Sequence, residues 1–168
     1  MRIVDALLAE LDQEAVATRR VLERVPQEHL SWRPHVKSMS LGQLALHVAT
    51  IPGNVAQLVA MDTIPEPPQF IQAEAATAAE LVPTLEASVA KAREVLGAFD
   101  DQAMGATWRL MSGGNELMAM PRAQVARAIM LNHWYHHRGQ LLVYLRMHNV
   151  PLPSVYGPTA DENPFAPS

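Results

Sequence analysis

Residues 131–145 read LNHWYHHRGQLLVYL, and this stretch decides what kind of protein the chain makes. His133 and His137 stand four residues apart, so on a helix they share one face and lie one turn from each other. The same row runs back to Ile129 and forward to Leu141, which points it at an apolar interior. Imidazoles are costly to bury unless their ring nitrogens find partners. The stretch therefore predicts a core-facing helix with two histidines turned inward. Pro121 suits the first position of that helix, where a missing amide costs nothing. The pattern carries the helix to residue 148.

Working back from there, the same 3.6-residue period recurs. Leu7, Leu8, Leu11, Ala15, Thr18, Val21 and Leu22 form one apolar face of a first helix that ends before Pro26. Residues 27–39 read as a loop. Ser40 can cap a second helix by accepting from an unpaired amide of the first turn. Its apolar stripe is Leu41, Leu44, Val48, Ile51, Val55 and Leu58, and His47 sits on that stripe between Leu44 and Ile51. Pro52–Gly53 predicts a kink or a break, because proline removes one helical bond and crowds the Val48 carbonyl. Pro65, Pro67 and Pro68 begin a loop. A third helix is expected over 74–99, with Pro83 marking either a kink or a later start. Thr107–Met111 and Glu116–Met120 flank Ser112–Gly113–Gly114–Asn115, which predicts a small hairpin packed on the helices. Residues 149–168 hold five prolines and are expected to form an extended tail. The expected fold is all-α: a four-helix bundle, a short β-hairpin before the last helix and a Pro-rich C-terminal tail, in one domain over 1–168.

Composition narrows the chemistry. The chain has 168 residues, 49% of them hydrophobic, which suffices for one well-buried core. It has no cysteine, so disulfides, thiolate metal sites and cysteine nucleophiles are excluded. Any metal must sit among nitrogen and oxygen ligands. The net charge is −4 and the basic residues are scattered, Arg19–Arg20 and the separated Arg122 and Arg127 being the nearest to a patch. A phosphate-binding stripe is missing, so no nucleic-acid partner is expected. No stretch reaches the roughly 20 apolar residues that cross a bilayer. The first twenty residues carry Asp5, Glu10 and Asp12 among their leucines, which is wrong for a signal-peptide core. No membrane association and a cytoplasmic location are expected.

His47, His133 and His137 thus lie on inward faces of two helices. Either each is a hydrogen-bonded core histidine, or the three share a divalent ion, each neutral ring offering a lone pair. A His-x3-His pair alone does not decide between these readings. His136 adds a further imidazole, at i,i+3 from His133. Trp134 stands where the glutamate of an H-E-x-x-H protease would be, so that class is excluded. Gln43, one turn before His47, and Gln140, just after His137, can orient an imidazole by hydrogen bonding. Arg138 points off the histidine stripe and is expected in an ion pair. Gly139 predicts a close helix approach, within the bundle or across a dimer. Trp134 and Tyr135 read as packing groups, Tyr144 as a core or pocket residue, and Asp161 and Glu162 as solvated.

The segments SWRPHVKSMSLGQLALHVA, NHWYHHRGQLLVYLRMHNVPLP and VYGPTADENP resemble the DinB/YfiT-like superfamily of metal-binding four-helix bundles. The specific elements are the histidine of the second helix and the H-x3-H-R-G-Q run of the last. The resemblance covers nearly the whole chain and places the family's metal ligands on His47, His133 and His137, with His136 outside the set. It implies a divalent metal cofactor, zinc or nickel, and a homodimer. Some relatives are thiol-dependent transferases or isomerases, others resemble metal-dependent hydrolases. The expected function is a metal-dependent thiol S-transferase acting on small electrophiles, with a low-molecular-weight thiol as cosubstrate. The alternatives are a non-catalytic metal-binding or stress-response protein and a metal-dependent hydrolase.

Overall fold

The computed structural model describes residues 1–69 and 72–166 and is mostly helical with one small sheet. The long helices are α1 (Ile3–Leu22), α2 (Leu41–Ala60) and α3 (Leu81–Gly97). After a short α4 (Asp101–Gly105) comes a final helical run. It comprises α5 (Arg122–Val125), a π-helical segment (Ala126–Asn132) and α6 (His133–Met147). α2 packs against α3, α6 and the π segment, and α1 packs against α3 and more lightly against α2 and α6. Leu11, Val21, Leu44, Val48, Leu96, Trp134, Leu141 and Leu145 lie at or near full burial between them.

Local chemistry sets most of the boundaries. Ser40 caps α2 as expected: its hydroxyl accepts from the Gln43 amide at 3.1 Å, and the Gln43 side chain accepts from the Ser40 amide at 2.9 Å. The N-terminus of α1 receives Asp101, whose carboxylate accepts from the Ile3 amide at 2.6 Å. Pro83 falls in the first turn of α3, where its missing amide has no helical partner, so the later start is the one adopted. A 3-10 turn at Ala78–Glu80 leads into it. Pro121 ends a strand and caps the last helical run, which begins at Arg122.

The hairpin forms where expected and gains an unexpected third strand. β2 (Thr107–Ser112) and β3 (Asn115–Pro121) pair antiparallel across Gly113 and Gly114, at φ +53° and +81°. Both glycines take the left-handed region that a tight two-residue turn demands. β1 (Thr63–Ile64) adds a parallel edge, with Thr63 opposite Arg109. Glu66 fastens that edge to the turn by accepting from the Ser112 hydroxyl and the Gly113 amide, which holds its carboxyl below the usual range. The Trp108 indole donates to the Leu58 carbonyl at 2.9 Å, and the Arg122 guanidinium donates to that of Val59. The sheet is thereby tied to the end of α2.

α2 runs through Pro52 rather than breaking. Proline leaves the Val48 carbonyl without its helical donor. The Trp134 indole, fully buried on α6, fills that vacancy by donating to the Val48 oxygen at 2.8 Å. On the opposite side the Ser88 hydroxyl of α3 donates to the Thr50 carbonyl and accepts from the Gly53 amide. Gly53 is required there, since a Cβ would meet the Ser88 backbone at 3.0 Å.

Candidate metal centre

α2 and α6 bring His47, His133 and His137 together. One ring nitrogen from each lies within 4.8 Å of the others. The Nε2 atoms of His47 and His133 are 3.5 Å apart, long for a hydrogen bond between rings. Two nitrogens on one tetrahedral ion, each at about 2.0–2.1 Å, stand about 3.3 Å apart, so this spacing fits a shared zinc-like ion closely. Among the described residues this group contains no carboxylate. His136 is exposed and outside it.

The indole link explains why the rings meet. Val48 follows His47 and Trp134 precedes the turn to His137 directly after His133, so the Trp134–Val48 bond pins the two helices at the level of the ligands. The π segment ends at Asn132, immediately before His133. Such segments are rare and concentrate at functional sites.

Electrostatics leave the rings neutral and available. Burial pushes His47 down to about 4, and the facing His137 and His133 add to the shift. Burial also lowers His133, against the Ile129 backbone one turn earlier, which favours its charged form. His137 is lowered by burial too, against an opposing hydrogen bond to Gln140. That contact joins His137 Nδ1 to Gln140 Oε1 at 2.8 Å; with the proton on Nδ1, Nε2 keeps a lone pair. Gln140 thus stands where an orienting partner is needed. Among the described residues Gln43 makes no hydrogen bond to His47; its side chain serves the α2 cap and donates to the Gln72 carbonyl at 3.0 Å.

The remaining residues singled out in the sequence lie apart from the triad. Arg138 forms the expected ion pair, with Glu14 at 2.6 Å, and both are buried. Asp161 and Glu162 stay at the surface, as expected, and pair there with Arg146 and Arg20. Tyr144 donates to the Met39 carbonyl and packs edge-on against Trp32. A Cβ on exposed Gly139 would meet nothing within 4 Å, so among the described residues no helix approaches it closely.

A cavity of about 220 Å³ adjoins the triad, and His47 and His133 form part of its wall. Sequence reading missed its other residues, although the signal was present. Thr50, Ile51, Asn54, Val55 and Leu58 follow His47 at +3, +4, +7, +8 and +11, the same face of α2.

A family model described as the DinB family matches residues 1–164. No curated protein matches the chain. Among solved structures, the chain is similar to a DinB-like protein of Bacillus cereus ATCC 10987, with 20% identity and a TM-score of 0.67 over 90% of this chain and 97% of that one. It is similar also to a DinB-like protein of Bacillus subtilis, with 17% identity and a TM-score of 0.66 over 89% and 96%. At such identities the likeness is one of fold.

Proposed function

The chain belongs to the DinB family, and from that premise we propose that α1, α2, α3 and the final helical run form a bundle holding one divalent ion, zinc or nickel, for a thiol S-transfer reaction. The observation that carries the reading is the neutral histidine triad, with ring nitrogens within 4.8 Å and a 3.5 Å Nε2–Nε2 gap. Three protein ligands leave a fourth position for water or substrate. The adjoining cavity supports an open position and speaks against a purely structural ion, which would sit in a closed shell.

His47, His133 and His137 would hold the ion, with Gln140 fixing the His137 ring, and it would supply Lewis acidity towards an incoming thiol. In the transfer, the thiol S–H bond breaks and its proton passes to solvent. The sulfur pair then forms the bond to the electrophilic carbon, whose leaving group departs with its own bonding pair. A low-molecular-weight thiol suits a chain without cysteine, because the nucleophile then arrives with the cosubstrate. No helix among the described residues is long and apolar enough to cross a membrane. A single domain over 1–168, a cytoplasmic setting, no nucleic-acid partner and a homodimer complete the reading. The open surface over Gly139 supports the dimer, and a monomer mass by light scattering at micromolar concentration contradicts it.

The test is consumption of 2-mercaptoethanol with 1-chloro-2,4-dinitrobenzene by metal-loaded protein, compared with the chelated protein and His137→Ala. Loss of rate in both supports the transferase. An unchanged rate overturns it, and ester hydrolysis in its place supports the hydrolase. Stoichiometric metal with neither activity returns the site to a non-catalytic role.

A further inference from the structure

The cavity beside the triad is an elongated groove along α2. Its α2 wall runs from Leu46 to Leu58, twelve residue steps or about 18 Å of helix. Ile51, Val55, Leu58 and Ile129 make it apolar. Among the described residues, no charged side chain lines it. The neutral polar groups are few and differ in availability. The Thr50 hydroxyl is committed to the Leu46 carbonyl at 2.9 Å. The exposed Asn54 amide makes no hydrogen bond among the described residues, so it is free to meet a ligand.

Charge and size define what fits. Along the Ile51–Leu58 stretch, away from the histidine end, a carboxylate or ammonium would lose hydration and gain no counter-charge. Apolar surface gains free energy when it is removed from water, so an apolar, uncharged body is favoured. An apolar cavity of about 150 Å³ holds benzene, so a cavity of about 220 Å³ takes roughly nine or ten non-hydrogen atoms.

We propose that this groove binds the uncharged, apolar body of the electrophilic substrate, its reactive end at His47 and His133 and a neutral polar group beside Asn54. Which end reacts rests on the metal-dependent reading above; what the groove accepts does not. The substrate class is a molecule with a neutral, apolar body of medium chain length or one ring.

Calorimetric titration of the metal-free full chain with 1-alkanols from butanol to decanol, beside the matching alkanoates, reads the groove directly. Affinity should rise about fourfold per methylene, from about 0.8 kcal/mol each, and level off near eight carbons. Alkanoates should bind at least tenfold more weakly. Ile129→Phe, which fills the groove, should abolish the dependence on chain length; Leu58→Trp serves the same purpose should Ile129→Phe fail to fold. Equal affinity for all chain lengths, or alkanoates matching alkanols, overturns the proposal. Zinc stoichiometry measured on the same samples separates the two readings. Flat alkanol binding in a protein that takes up one zinc removes the groove and leaves the metal site. Chain-length dependence in a protein that takes up no zinc removes the metal site and leaves the groove.

Discussion

α6 carries two polar clusters on its two sides, and they solve burial in opposite ways. On one side Arg138, with 2% of its side chain exposed, meets Glu14 at 2.6 Å, Thr18 at 3.0 Å and the Tyr156 hydroxyl, between the rings of Tyr135 and Tyr156. Tyr156 also donates to Glu14 at 2.8 Å, and its own hydroxyl is raised by burial and by that carboxylate. Each charge there has an opposite charge and further hydrogen bonds, and nothing is left to bind. On the other side, one residue away in sequence, His137 joins His47 and His133 with ring nitrogens facing one another and no acid among them. A cluster complete within the chain holds the fold, here by fastening the 150s to α1. A cluster of facing ring nitrogens with no acid among them could hold an ion.

Breaking the first cluster should have the largest effect on folding. Glu14→Ala leaves a buried guanidinium unpaired and should cost about 3–5 kcal/mol in urea unfolding, with zinc affinity per folded chain unchanged. The next test separates two indole anchors on α2. Trp134→Phe and Trp108→Phe each remove a donor to an α2 carbonyl, at Val48 and Leu58, and each should cost about 1–3 kcal/mol. Only Trp134→Phe should also weaken zinc binding, because only it pins α2 to α6 beside the ligands. Equal zinc affinity in the two variants would show that the ligand spacing does not depend on that bond.

Smaller effects sharpen the second cluster. Gln140→Leu removes the partner of His137 Nδ1 and should weaken zinc about tenfold to a hundredfold in a chelator competition, with little change in melting temperature. The metal-free protein should lose stability as pH falls. The fold prefers the deprotonated His47, whose folded value is about 4 against an ordinary 6.5. Its contribution is therefore full above pH 6.5 and is lost as pH falls toward 4. His47→Ala should flatten that slope, and an unchanged slope would place the titration elsewhere.

Legibility in the sequence followed range along the chain. The Ser40 cap, the Gly113–Gly114 turn and the His133–His137 spacing are local patterns, and all three appear in the structure. The passage of α2 through Pro52 was not readable, because the donor that relieves it lies 86 residues away on Trp134. β1 is only two residues long, too short to show a period, and the π segment has no compositional mark. Arg138 read as an ion-paired residue, but its partner Glu14 is 124 residues distant and sat unremarked on the first helix. His47 could be placed on an inward face from its neighbours. Its meeting with the other two histidines needed the family resemblance or the structure.

The most direct test of the account is the metal content of the untagged full-length protein, measured by mass spectrometry beside the His47→Ala/His137→Ala double variant. About one zinc or nickel per chain, lost in the double variant, is the predicted result. No ion in the wild type after incubation with either metal, or equal content in both proteins, would contradict it and leave the three histidines as core residues.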